Sequence, residues 1–308
     1  DLKQMMARYL LALQDAMFTT PTAEVKDDLD PDRLSRWVAA LKEEATEQAT
    51  HPLHPWLAMA RHRGPLQPQQ LDQQRHHLVE RAANDATRDE QTPVFEKFDG
   101  EDFGDWFVNG EAFGKGPTRA GQWDSRQRGT MSARPGIAHS GMLADRHQGV
   151  LRSRDFTITH PHIMHRVAGT GGQIRLIVDS HFMDVYSDTL FVEFQLKIDT
   201  EGAWTWCRQA GDIGRYLGHR AHLEIIDHGD GWVAVDEIRL AGSDLSDSED
   251  NPLARRVFDN PDLSSINDLA EAYADLIAES LARWRNSNAD ARETDLVRWL
   301  MKHELVDV

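Results

Sequence analysis

From about residue 93 to 242 the apolar residues recur at every second position, and on both sides of that stretch they recur at every third or fourth. A chain patterned this way builds a β layer between two helical segments. In Gln173–Asp179, Ile174, Leu176 and Val178 point one way, and Trp232–Ile238 shows the same period of two. Residues 169–172, 199–202 and 228–231 are rich in Gly, Asp and Thr and read as turns between strands. Many short strands at regular spacing, with no helices between them, predict an antiparallel sandwich or jelly roll.

The flanks read differently. Leu2, Met5, Met6, Tyr9, Leu10, Leu13 and Met17 form one helical stripe, and Asp30-Pro31 starts a second helix with Leu34, Trp37, Val38 and Leu41 on its buried face. His51–Trp56 carries two prolines and interrupts the pattern; helix resumes near 56–61 and again from about 67 to 86, where the apolar stripe is thin. At the other end, residues 261–286 and 290–305 read as helices, the first capped by Ser264 or Ser265. An acidic linker, 242–252, precedes them. The expected class is α+β, in three segments: helical 1–92, a β-sandwich at 93–242, and helical 250–308 packing with the N-terminal helices.

Composition narrows the function. The chain has 308 residues with 51 acidic against 34 basic, a net charge of −17. Like charge disfavours nucleic acid and anionic membrane surfaces. No apolar run is long enough to span a bilayer, so no membrane insertion is expected. The first residues do not read as a signal peptide and include no initiator Met, which suggests a piece of a longer protein. With the single Cys207, an internal disulfide and a c-type haem attachment are both out of reach.

Phe98–Trp106 and Gly110–Gly114 at the start of the β segment, with Gly218–Leu240 at its end, resemble the opening and closing strands of a galactose-binding-like β-sandwich, a jelly roll. Arg152–Ile158, Arg166–Gly169, Ile174–Asp179 and Gly218–Ala221 are similar to the central region of the large planctomycete cytochrome-c-associated proteins. The end strands also resemble modules appended to levanase-type glycoside hydrolases. The resemblance implies an exported protein, periplasmic or at the cell surface, tied to polysaccharide use, with other domains of the parent protein as partners. It also implies that the first and last strands lie side by side. This chain departs from that family in having no haem-attachment motif, so no haem and no electron transfer carry over.

Sandwiches of that type often hold a structural Ca²⁺ between the opening and closing strands. Asp236 matches the acidic residue of the closing strand, and Glu96, Asp99 and Glu101 are candidates from the opening one, with Glu237 weaker. The alternation sets Asp236 on one inward face with Ala234 and Ile238, where a carboxylate needs either a cation or hydrogen-bond donors such as an Arg. For a sugar, the candidate contacts are Trp123, Arg126, Asp145, Arg146, His181 and Tyr186; an anionic glycan favours Arg126, Arg146 and Arg175. Trp106, Trp204, Trp206 and Trp232 read as core. His160, His162 and His165 lie close in sequence, but no third ligand stands at a diagnostic spacing, so they read as solvated or hydrogen-bonded.

No nucleophile elbow, metalloprotease helix or phosphate loop occurs. The expectation is a noncatalytic carbohydrate-binding-like module that holds a polysaccharide. The alternatives are a structural or protein-interaction module without a sugar ligand and, third, a glycoside hydrolase.

Overall fold

The structure is a computed structural model, described for residues 2–18, 29–42, 51–61, 66–123, 133–182, 194–247 and 251–306. The chain divides into two compact units: residues 1–87 with 248–308, and residues 88–247.

The first unit is helical: α1 (Leu2–Phe18), α2 (Pro31–Ala40), α3 (His54–Ala60), α4 (Pro68–Gln91, whose last turn enters the second unit), α5 (Pro252–Phe258), α6 (Ile266–Arg285) and α7 (Ala291–Lys302). Its core mixes both ends of the sequence: Met6, Leu10 and Leu13 of α1 join Leu269, Tyr273 and Ile277 of α6, with Trp37 and Trp56 fully buried among them. The starts are set by side chains. The Asp30 carboxylate caps α2, while Ser265 with Asp268 and Asp290 with Glu293 form reciprocal capping boxes on α6 and α7. Helix α4 runs to Gln91, beyond the expected end near 86, because no Gly or Pro interrupts it before Pro93. Its thin apolar stripe is supplemented by Arg75, which donates to the Phe258 and Asn260 carbonyls at 2.8 and 2.9 Å.

Among its described residues the second unit has eleven strands: β1 (Val94–Glu96), β2 (Phe107–Gly110), β3 (Ala138–His139), β4 (Gly149–Arg152), β5 (Phe156–Thr157), β6 (His162–Val178), β7 (His181–Phe182), β8 (Gln195–Asp199), β9 (Thr205–Arg208), β10 (Arg220–Asp227) and β11 (Val233–Ala241). Every pairing is antiparallel, and the class is α+β as expected. The first strand, β1, lies just ahead of the Phe98–Trp106 segment read as the opening strand, which itself forms no strand; β1 pairs with the closing strand β11, Val94 opposite Arg239 and Glu96 opposite Ile238.

The central strand β6 serves both layers. Its first half pairs with β11 and β9, its second half with β10 and β8. The expected turn at 169–172 is therefore a correction: these residues continue the strand and turn a corner inside it. Glycine is required there because the backbones close in. A Cβ on Gly172 would stand 2.3 Å from Val233 Cβ, and one on Gly169 would stand 2.4 Å from the Trp232 carbonyl oxygen.

A second correction concerns β11. Val235 faces Val167 but Glu237 faces Arg166, so Asp236 is an extra residue in a bulge. The bulge shifts the alternation: Val233, Val235 and Ile238 face the core, and Asp236 does not share an inward face with Ile238.

Candidate functional site

The two halves of β6 carry two different outer faces. On the β10 side, Ala221, Leu223 and Ile225 point into the core, and His222 and Glu224 point out. Ladder partners in an antiparallel sheet stand on the same face. Phe107 opposes Arg152, Arg152 opposes Glu224, Glu224 opposes Arg175, and Arg175 opposes Gln195. These five residues form one row across β2, β4, β10, β6 and β8.

The row ends at the sheet edge on an exposed aromatic. Phe107 is 63 % exposed, and the Arg152 guanidinium lies 5.5 Å from its ring centre. Beside it lies an open groove of about 700 Å³, lined by Gly104, Asp105, Trp106, Phe107, Arg152, Arg154 and Asp155. That volume lies within the range of small-molecule sites. The floor is firm: Trp106 is buried against Phe95 and Phe98, and its indole N–H donates to Glu96 Oε2 at 2.8 Å.

Charges on this face are paired within the protein. Arg152 meets Asp155 at 3.2 Å, Arg154 meets Asp105 at 3.3 Å, and Arg220 Nε donates to Asp155 at 2.9 Å. The Arg220 guanidinium holds the Asp155 carboxyl below its usual range. His222 sits between Asp155 at 3.6 Å and Glu224 at 3.7 Å, yet partial burial, with Arg152 adding to it, pushes its pKa down.

The predicted sugar contacts do not gather into one site. Asp145 and Arg146 are exposed in the loop beside the 228–231 turn, at the Asp227 end of β10. His181 pairs with Val178, which faces Ala221 at the opposite end of β10, and its ring nitrogen bonds the Asp179 carbonyl at 2.8 Å. Trp123 is 56 % exposed. Arg126 and Tyr186 lie outside the described residues. Of the residues considered for an anionic glycan, Arg175 is in the row.

Of the carboxylates expected to hold Ca²⁺, Asp236 and Glu96 have other partners. On the bulge, Asp236 accepts from Arg134 at 2.8 Å and Arg166 at 2.6 Å, and both guanidinium groups stack on Trp204. Arg166 also reaches Asp247 at 3.1 Å, and proximity to these carboxylates raises its pKa even though burial opposes it. Glu96 accepts from the Trp106 indole and from the Lys97 and Phe98 amides. Asp99 lines a depression adjoining the groove, and the Glu101 carbonyl accepts from Arg119. Among the described residues, no three His, Cys, Asp or Glu side chains gather as a metal-binding group.

Trp106 is core as expected, whereas Trp204, Trp206 and Trp232 are only half-buried. Trp232 stacks on His139, their ring centres 5.0 Å apart. The three clustered histidines part company: His160 precedes β6 and bonds Thr159, His162 lies 3.7 Å from Asp244, and His165 is wholly buried. The reading of residues one at a time missed Phe107, Arg152, Glu224 and Gln195 as a set, because only the strand register joins them.

No protein-family model matches the chain, and no curated protein matches it. Among solved structures, it is similar to the K1 cleaved adhesin domain of Lys-gingipain from Porphyromonas gingivalis, at 11 % identity over 49 % of this chain and 98 % of that one, with a TM-score of 0.30. It is similar to a family 61 carbohydrate-binding module in complex with β-1,4-galactotriose, at 14 % identity over 49 % of this chain and 99 % of that one, TM-score 0.31. A family two carbohydrate esterase from Cellvibrio japonicus matches at 14 % identity over 50 % of this chain and 35 % of that one, TM-score 0.28. Likeness at this level assigns neither ligand nor activity.

Proposed function

We propose that residues 88–247 form a carbohydrate-binding module that retains a polysaccharide on the face built by β2, β4, β10, β6 and β8. The observation that carries the reading is Phe107: an exposed ring at a sheet edge, flanked by Arg152 and opening onto a groove with Asp105, Arg154 and Asp155. An aromatic face offers a surface for the C–H side of a pyranose, and the neighbouring guanidinium and carboxylate groups offer donors and acceptors to its hydroxyls.

The proposal is one of retention without turnover. The carboxylates of the groove are paired, Asp155 with Arg152 and Arg220 and Asp105 with Arg154, and Glu224 lies 3.7 Å from His222. The resemblance of Arg152–Ile158 and Gly218–Ala221 to the planctomycete proteins supports an exported setting for such a module.

A glycan array probed with the whole chain, with and without chelator and repeated with Phe107→Ala, tests the reading. Binding to at least one plant or algal polysaccharide, lost in the variant, is the expected result. A blank array, or binding indifferent to Phe107, refutes it.

A further inference from the structure

The row described above has a spacing as well as a composition. Neighbouring strands lie roughly 4.8 Å apart, so the row from Phe107 to Gln195 extends roughly 19 Å across the sheet. Each step brings a different polar or stacking group: ring, guanidinium, carboxylate, guanidinium, amide. One step is close to the advance of an extended chain by one pyranose. We infer that this face takes an internal stretch of a linear, neutral glycan laid across the strands, about one ring per strand, rather than a chain end. The inference rests on the carbohydrate reading proposed above and specifies its ligand class.

Two observations favour neutrality. Arg152, Arg154 and Arg220 already face Asp155 or Asp105, and Arg175 Nε donates to Gln195 Oε1 at 2.8 Å. A hydroxyl can bridge such pairs, donating to one partner and accepting from the other. A polyanion would have to displace the carboxylates, and it would approach a chain of net charge −17. Length follows from geometry. Among the described residues β2 is the last strand of its sheet and none pairs beyond it, so a chain crossing the row runs out past the exposed Phe107.

The test is calorimetry on the whole chain with xylo-, cello-, manno- and galacto-oligosaccharides of increasing length. For the series that binds, Kd falls by about tenfold or more from disaccharide to tetrasaccharide and then levels off. Arg175→Ala, three strands away from Phe107, weakens the tetrasaccharide by about fivefold or more and leaves the disaccharide unchanged. Gln195→Ala acts in the same direction and serves as a second probe if Arg175→Ala melts early. Affinity is insensitive to salt. Full affinity for a mono- or disaccharide, or equal effects of Arg175→Ala on short and long chains, overturns the row and leaves a local sugar site at Phe107 standing. A salt-sensitive Kd overturns neutrality. Silence from all four series together with a blank array removes the carbohydrate reading itself.

Discussion

His165 Nε2 and Gln209 Oε1 lie 3.0 Å apart inside the β core, and the Gln209 amide group donates onward to the Ile174 and Phe194 carbonyls at 3.2 and 3.0 Å. A Gln carbonyl can only accept, so the imidazole carries a proton on Nε2. Complete burial pushes its pKa down to about 4, outweighing the Gln209 hydrogen bond, which acts in the other direction.

A depressed histidine pKa gives stability that is fully present above the unfolded value near 6.5 and is lost as pH falls toward 4, because the unfolded chain takes up the proton first. The loss is about 1.4 kcal/mol per pH unit and about 3 kcal/mol in all. Urea midpoints from pH 8 to pH 4 check this. In His165→Leu the slope attributable to this group disappears, although the orphaned Gln209 lowers stability at every pH by about 1–3 kcal/mol.

The corner in β6 predicts a contrast between glycines. Gly172→Ala places a methyl group against Val233 with no room to move and costs about 3 kcal/mol. Gly104→Ala, at φ +53° with nothing within 4 Å of the added carbon, costs only about 1 kcal/mol of backbone strain. Equal losses in chemical denaturation would mean that the corner is not close-packed.

Phe107→Ala separates binding from folding. The ring is mostly in water, so stability changes by no more than about 0.5 kcal/mol, while glycan affinity drops by about tenfold or more. A large fall in melting temperature would show the ring to be structural.

Asp236→Ala leaves Arg134 and Arg166 stacked on Trp204 without the carboxylate they share. The pairs are mostly buried, at 11–20 % side-chain exposure, and the expected cost is about 2–3 kcal/mol. The loss is the same with calcium and with chelator. A wild-type melting temperature that rises with calcium and stops responding in the variant would restore the metal reading of Asp236.

Much of the fold was legible because the signals were local. Asp30-Pro31 starts α2 where a capping carboxylate and a proline predict, and α6 begins at one of the two serines named, Ser265, with its apolar residues on one stripe. Ile174, Leu176 and Val178 fill the core as their alternation requires. Two departures share one cause. A glycine run signals a turn equally well when it turns a corner within a strand, and a bulge at Asp236 resets the period with no mark in the sequence. The row from Phe107 to Gln195 was invisible for a related reason. Loop aromatics such as Trp123 stand out along a chain, whereas Phe107, Glu224 and Gln195 become neighbours only through pairings between residues many tens of positions apart.

Because β1 lies against β11, the excursion through residues 88–247 begins and ends at one place. Once that excursion has folded, α1 and α6 are no longer the ends of a long floppy tether; their meeting closes a short link. Each halving of effective tether length returns about 0.6 kcal/mol of chain entropy. The helical core, drawn from both ends of the sequence, therefore closes at a lower entropy cost once the β unit has condensed.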